Sequence, residues 1–300
     1  MKAETMNETQ RGLTVLVRGE GLTLEEVQAV ARLGRPVEID DASLERLREV
    51  RSGLEDCVER GEVMYGVNTG CGSRKNEVMN ADELIDYQAR YIPAHSCGVG
   101  DALDDEIVRG AMLIRLNSFM RGTSGVSPEL CLLLKGCLNQ GFTPIVPRYG
   151  SLGASGDLVP LAHTCAALIG LPQAEAMVDG TRMSAREGLS LCGLTPHVLG
   201  AKEALAFTNG ANFIASMGCL AVLDAEELNL TAHVALSLSL EAIRGETTAF
   251  DARLHEARPL PGQVRSAEMI RQVISGSKRM TAEARQVSFS SEIVDVDRSG

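Results

Sequence analysis

Arg148-Tyr149-Gly150-Ser151-Leu152-Gly153-Ala154-Ser155-Gly156-Asp157-Leu158-Val159-Pro160 is the stretch on which the reading of this chain turns. Three glycines in seven residues, then an acid, an apolar run and an early proline, predict a pinched loop that delivers a helix N-terminus. Within it, Gly156 has an amide nitrogen with no side chain to hinder it. A hard enough bend would press that nitrogen onto the carbonyl carbon of Ala154. Loss of water from the resulting ring and from Ser155 would leave a methylidene-imidazolone, an alkene conjugated to a carbonyl. Such a ring is an electrophile, which none of the twenty side chains is. The plainer alternative is that Ser155 or Asp157 is an N-cap behind a glycine hinge. An Ala-Ser-Gly triplet arises by chance in roughly one chain in ten of this length, so the flanking sequence has to decide.

Composition narrows the classes. The 300 residues carry 29 Lys and Arg against 40 Asp and Glu, a formal charge of −11, and 44% are hydrophobic. That length and apolar content can bury a substantial core as one large domain or two small ones. The acidic balance disfavours nucleic acid and anionic membrane as partners. Aromatics are 3% and Trp is absent, so no stacking platform for bases is visible, and a small-molecule substrate is expected. Met1-Lys2-Ala3-Glu4-Thr5 lacks the apolar core of a secretory signal. The least charged long run, Ala204 to Leu223, contains Thr208, Asn209 and Asn212 and leads into Asp224, Glu226 and Glu227. It reads as a buried helix and not a membrane span. The eight cysteines form no Cys-x-x-Cys pair, as expected for reduced residues of a cytoplasmic protein. No metal is expected: His95 and Cys97 have no third group at ligand spacing, and no His-Glu-x-x-His occurs.

Along the chain, Thr23-Leu24-Glu25-Glu26 predicts a capping box, with Val27, Val30, Ala31 and Leu33 on one face and Gly34 as the stop. A short extended piece surrounds Val37-Glu38-Ile39, and Asp40 or Asp41 caps a helix to about Glu59. Tyr65 to Lys75 has neither helical nor strand period and predicts a lid-like loop. Helices are expected over Ala81 to Pro93, Leu103 to Arg121, Ser127 to Gly141 and Asp157 to Gly170. A hairpin turn falls around Asp179-Gly180, and Ser184-Ala185-Arg186-Glu187 is a second capping box. Lys202 to Arg244 is almost continuously helical and apolar on most faces, as in the middle of a bundle. Ser266 to Ile274 makes one more helix. His163 and His233 read as packed core or interface histidines, as do His197 and His255.

Gly150-Ser151-Leu152-Gly153-Ala154-Ser155-Gly156-Asp157-Leu158-Val159-Pro160-Leu161-Ala162-His163 closely resembles the signature of the aromatic amino acid ammonia-lyases and aminomutases. Tyr65-Gly66-Val67-Asn68-Thr69-Gly70 is similar to that family's mobile tyrosine loop, and His95-Ser96-Cys97-Gly98-Val99-Gly100 to its substrate-selectivity segment. Arg115-Leu116-Asn117-Ser118 with Arg121-Gly122-Thr123-Ser124-Gly125 also fits, as do Lys202 to Gly210, Phe250 to His255 and Arg258 to Gln263. The resemblance covers nearly the whole chain in the right order.

The resemblance implies a mainly α fold: the ammonia-lyase (fumarase/aspartase-like) helical bundle, with a smaller N-terminal α-rich region carrying short strands and the active-site loops. Residues 1–200 would be that region, with the lid loop and the ring loop, and 201–300 the start of a central long-helix bundle that the family continues beyond 300. It further implies a methylidene-imidazolone (MIO) group formed autocatalytically from Ala154, Ser155 and Gly156, with no external cofactor. Asn209 would hydrogen-bond that ring, Tyr65 would be the base, and His95 would face the substrate side chain. The implied reaction is elimination of ammonia from an aromatic L-amino acid, of histidine or tyrosine type, to an α,β-unsaturated acid. An aminomutase would use the same residues, and a non-catalytic scaffold subunit is the alternative of another class. A homotetramer with active sites shared between subunits is implied. Three departures stand out: Thr208 before Asn209, Cys71 where Phe is usual, and Ala94 in place of Ser before His95. The family's carboxylate clamp, a Tyr and an Arg in a later segment, is not reached by Gly300. An excerpt or a truncated product is therefore expected in preference to a half that pairs with a second chain. Alone, such a piece would have an incomplete active site and an exposed apolar bundle face.

Overall fold

The computed structural model describes residues 14–70, 74–152 and 154–280, which form a mainly helical protein with three small sheets. β1 (Val15–Val17) lies parallel to β2 (Val37–Ile39), with α1 (Leu24–Ala31) as the crossover. The Thr23–Glu26 capping box starts α1 as expected, and Val27, Val30 and Ala31 are buried. Leu33 lies past the helix end and is exposed. α2 (Asp41–Glu59) is capped by Asp40, whose carboxylate accepts the Ser43 N–H at 2.9 Å. α3 (Ala81–His95) continues through Pro93, beyond where the proline suggests a stop. Ser96 closes it by donating from its N–H and its hydroxyl to the Ile92 carbonyl, at 3.0 and 2.8 Å, which satisfies a helix-end acceptor twice over.

After β3 (Val99–Ala102) come α4 (Asp105–Met120) and α5 (Pro128–Asn139), the latter with Ser127 as N-cap and proline in the first turn. α4 is the centre of the core: Val108, Met112, Leu113, Leu116, Phe119 and Met120 are all buried, and it packs against α1 and α5. Burying each such side chain contributes about 1.5–3 kcal/mol. β4 (Thr143–Pro144), β6 (Glu175–Val178) and β7 (Thr181–Ser184) form an antiparallel sheet, and the β6–β7 turn is the expected Asp179-Gly180. β5 (Pro147–Tyr149) pairs with β3 and feeds the glycine loop, after which α6 (Leu158–Leu168) packs against α3. α7 (Ala185–Leu191) carries the second capping box.

The long helical run is not continuous. It divides into α8 (Glu203–Thr208) and α9 (Asn212–Ile243), with Asn209 extended at the break. Compactness divides the chain within α9, into units Met1–Ala221 and Val222–Gly300. The second contains the rest of α9, where Leu228, Leu230, Leu236 and Leu238 are exposed, together with α10 (Ala252–Glu256) and α11 (Pro261–Val273). α11 starts five residues earlier than its apolar pattern suggests, because Pro261 is pre-organised for the first helical position. His255 is buried there, its Nε2 at 3.1 Å from the Ala249 carbonyl.

Glu203 ties the elements around α8 together. Its fully buried carboxylate accepts the Ser127 N–H and hydroxyl at 2.7 and 2.6 Å and the Gly200 N–H at 2.7 Å, and lies 2.8 Å from His197 Nε2. Burial alone would raise this carboxyl, but the bonds from His197 and Ser127 prevail and hold it at about 2. Replacing Glu203 with Gln should therefore cost about 2–4 kcal/mol in urea unfolding at neutral pH. Because the folded value lies below the ordinary 4.5, the contribution is complete above 4.5 and is lost as pH falls toward 2. The unfolding curves of wild type and variant should converge across that window.

Candidate active site

The glycine loop bends as its composition demands. Gly156 has φ +83°, in the left-handed region that favours glycine, and a Cβ there would meet Ile214 Cδ1 at 3.0 Å. Ser151 Oγ donates to the Gly156 carbonyl, closing the loop on itself. Ala154 is exposed, whereas Ser155 Oγ is buried and has no hydrogen-bond partner. A buried hydroxyl left unpaired costs about 1–3 kcal/mol, so this atom is the one energetically discordant point of the loop. Gly153 lies outside the described residues.

Asp157 stands at the N-cap position of α6, one of the two candidates of the plainer alternative. Its side chain makes no N-cap bond to α6. Its fully buried carboxylate instead accepts the N–H groups of Phe213 and Ile214, at 2.7 and 3.2 Å, at the N-terminus of α9. Its own N–H donates to the Gly210 carbonyl at 3.2 Å. The residue after Ala154-Ser155-Gly156 is thus hydrogen-bonded to the residue after Asn209, which brings the triplet and Asn209 together. Burial pushes the Asp157 carboxyl above its ordinary value, against the pull of the Ile214 and Phe213 amides.

Arg115 of α4 explains why the helix breaks at Asn209. Its guanidinium is buried and donates to the carbonyls of Ala206 and Asn209, the latter at 2.8 Å, and to Asn212 Oδ1 at 3.2 Å. Those bonds satisfy acceptors at the end of α8, while Asp157 satisfies donors at the start of α9, so the chain can leave the helix for three residues without orphaning backbone groups. The guanidinium lies 4.6 Å from the Phe119 ring centroid, and burial pushes it down to about 10. Asn209 itself is exposed, its amide donating back to the Leu205 carbonyl at 3.0 Å.

His95 is the last residue of α3. Its ring stacks on Tyr91 with centroids 4.1 Å apart, and its Nδ1 lies 2.8 Å from the Tyr91 carbonyl. Since a carbonyl only accepts, the neutral ring carries its proton on Nδ1 and leaves an Nε2 lone pair for a ligand. His95 lines a cleft of about 630 Å³ shared with Tyr87, Tyr91 and Arg74, Glu77 and Met79 from the return arm of the tyrosine loop. The β3–β5 pairing then joins the segment after His95 to the glycine loop.

Tyr65 sits on a turn and is 63% exposed. Asn68 brackets that turn, accepting the Met64 N–H at 2.8 Å and donating to the Glu62 carbonyl at 2.7 Å, and the Gly70 and Met79 amides tie it to its return arm. None of these bonds joins the tyrosine turn to the cluster of Ser155 and Asn209. Cys71, the unusual residue of this loop, lies outside the described residues. Among the described residues, no group of three His, Cys, Asp or Glu is placed to hold a metal ion.

Sequence reasoning missed Arg115 and Asp157 as the frame of the break, and assigned His163 to the core. The signal for the first two was available only as one charge in the buried half of α4 and another just before α6. His163 accepts the Gly98 N–H on its Nε2 at 3.0 Å. Cys131, Cys137 and Cys165 are buried as expected, whereas Cys97 is exposed.

This arrangement, a buried-acid clamp joining a glycine loop bent at Gly156 to a helix break, sits in a fold of known kin. The chain belongs to the aromatic amino acid lyase family, which matches residues 22–291. It is 40% identical to histidine ammonia-lyase of Alkaliphilus oremlandii over 269 residues, 90% of this chain and 53% of that protein. Among solved structures it is similar to tyrosine aminomutase from Streptomyces globisporus, with TM-score 0.83 and 31% identity over 96% of this chain and 53% of that one. The ergothioneine-degrading ergothionase of Treponema denticola matches with TM-score 0.80 and 31% identity, over 86% of this chain and 51% of that one. The chain spans about half the length of the curated relatives it matches.

Removing the clamp should loosen the break before it unfolds the protein. Asp157→Ala deprives two α9 amides of their acceptor and should cost about 1–3 kcal/mol in thermal or urea unfolding. Amide exchange at Phe213 and Ile214 should accelerate more than exchange along α4.

Proposed function

We propose that the protein is an aromatic amino acid ammonia-lyase acting on L-histidine, with an electrophilic MIO group built from Ala154, Ser155 and Gly156. The observation that carries the reading is Ser155 Oγ, a buried hydroxyl with no partner in a loop already bent at Gly156. The residues fit the group: the discordant hydroxyl is the one its formation would expel as water, and Gly156 leaves its nitrogen unhindered. Once formed, the group supplies an electron sink that draws density from the bonds being broken.

The chain's own residues supply the rest. Asn209 is held beside the triplet by the Asp157–Gly210 bond, and in this reading its side-chain amide, which donates to the Leu205 carbonyl in the structure, would turn to hydrogen-bond the group. Tyr65, in this reading, removes the proton from the substrate β-carbon. The C–H bonding pair becomes the alkene, and the amine departs from the α-carbon with the C–N pair. His95 offers its Nε2 lone pair to a ring donor. An imidazole N–H or a phenol O–H can satisfy it and a phenyl ring cannot, so histidine and tyrosine are favoured over phenylalanine. The histidine ammonia-lyases among the relatives favour histidine of the two. The exposure of Tyr65 and of the leucines of α9 supports a homotetramer with active sites shared between subunits.

A second reading, an aminomutase that returns ammonia to the β-carbon, is supported by the structural likeness to tyrosine aminomutase. The product separates the two: an unsaturated acid for the lyase, a β-amino acid for the mutase.

Purified protein should show a near-ultraviolet band beyond the peptide absorbance, and with histidine should accumulate a conjugated acid. Ser155→Ala should abolish both signals. His95→Phe should keep the band but lower kcat/KM for histidine by about 10–100-fold. Absence of the band in the folded wild type would overturn the proposal.

A further inference from the structure

We propose that His163 is a positioning residue: its imidazole Nε2 holds the Gly98 amide, and thereby fixes the turn after His95 against the first glycine of the ring-forming loop. The inference deepens the proposed function and rests on it for the role of His95, but the contact itself is independent of catalysis.

The β3–β5 ladder is irregular. Val99 pairs with Tyr149 and Ala102 with Pro147, three steps on one strand against two on the other, so the register shifts within the pairing. Backbone hydrogen bonding therefore does not by itself lock the position of the residues just before β3. On the other strand the chain turns away at Gly150 into the glycine loop. Gly98, next beyond the ladder, would be left without a strand partner. Its N–H points instead to His163 Nε2, 3.0 Å away. The ring nitrogen stands where a strand carbonyl would have stood.

The approach is close on every side. A Cβ on Gly98 would meet His163 Nε2 at 3.0 Å and Pro147 Cβ at 3.2 Å, and a Cβ on Gly150 would meet Gly98 Cα at 3.1 Å. The turn after His95, the first glycine of the loop and the helix that follows the triplet thus converge on one imidazole. Since Gly98 donates, Nε2 must be the unprotonated nitrogen and the ring proton sits on Nδ1. Protonation of Nε2 would convert the acceptor into a donor facing a donor.

Titratable and charged groups on the neighbouring elements include Asp101 on β3, Arg148 on β5, Glu175 and Arg182 on β6 and β7, Arg186 and Glu187 on α7, Glu203 on α8, and Glu83, Asp86, Arg90 and His95 on α3. Of these, Asp101, Glu175 and Arg182 line the same cavity of about 270 Å³ as His163. Glu175 and Arg182 pair with each other, and Arg186 donates to the Gly170 carbonyl. Burial pushes the His163 imidazole below its ordinary value, so the bond is intact above the ordinary histidine value and weakens as pH falls through the folded one.

Hydrogen exchange of the Gly98 amide, corrected for its intrinsic pH dependence, tests this on the whole chain without requiring turnover. In wild type, protection should hold at neutral pH and fall by about tenfold on acidification through the His163 titration. His163→Phe should lose about the same protection at neutral pH, while His163→Gln, which offers an amide oxygen that cannot titrate, should restore it and abolish the acid step. Exchange along α4 serves as the folding control. Turnover adds a second arm: His163→Phe should raise KM for histidine more than it lowers kcat, with the near-ultraviolet band retained. Unchanged Gly98 protection in His163→Phe, or an acid step that persists in His163→Gln, would overturn the proposal. A wild type that turns over no aromatic amino acid would instead overturn the functional reading, and the exchange arm would still decide the Gly98 contact.

Discussion

The structure depends on one buried carboxylate. Asp157 sits between a loop that must bend sharply and a helix start that must be held, and it satisfies two amides of α9 that have no intrahelical acceptor. An acid at a helix N-terminus is stabilised by the orphan N–H groups and by the helix dipole. Here the benefit crosses from one element to another, so the capping energy becomes tertiary energy. The carboxylate holds the start of α9 against the loop, and the Asp157 N–H bond to the Gly210 carbonyl keeps the residue after Asn209 beside the triplet.

The remaining buried charges share this logic. Arg115 takes the carbonyls at the end of α8 and Gln88 accepts the Ala204 N–H at its start, while Glu203 takes the N–H groups of Gly200, just before the helix, and of Ser127, the N-cap of α5. Buried ions are expensive unless fully hydrogen-bonded, and Glu203 is satisfied on all sides. Arg115 is not: its Nε has no partner, and the faces of Phe119 and Phe207 take the place of a counter-ion. A six-residue helix too short to persist alone is in this way held at both ends, and its last residue leads into Asn209.

How much of this was legible in the sequence follows from the range of each interaction. The capping boxes at Thr23 and Ser184, the Ser127 cap with Pro128 and the Asp179-Gly180 turn are local, contained within four residues, and were read correctly. The bend of the glycine loop at Gly156 was legible because it is local too. The break at Asn209 was not, since apolar periodicity runs straight through it and the groups that end the helix come from residues 115 and 157. Asp157 was one of two candidate caps for the same reason: beside α6 it looks like that helix's own cap, and only the fold shows a second N-terminus that takes its carboxylate. Strand β1 was missed: its partner β2 lies beyond α1, so nothing local to its three residues marks the pairing.

His163 marks the boundary between these two kinds of information. As a residue in an apolar helix it is indistinguishable from His233, and a buried histidine needs only one hydrogen-bond partner to be tolerated. What separates them is the partner. His233 bonds back to Asn229, one turn earlier in its own helix, so its contact adds nothing that the helix does not already contain. His163 reaches an amide 65 residues away in sequence, and the amide it reaches lies at the point where a sheet ladder has lost register. A side chain that substitutes for a missing backbone acceptor fixes the relative position of two segments, which a helix-internal bond cannot do. In a fold whose candidate site is assembled from a helix end, a glycine loop and a helix break, such long-range caps are what convert three flexible pieces of chain into one geometry.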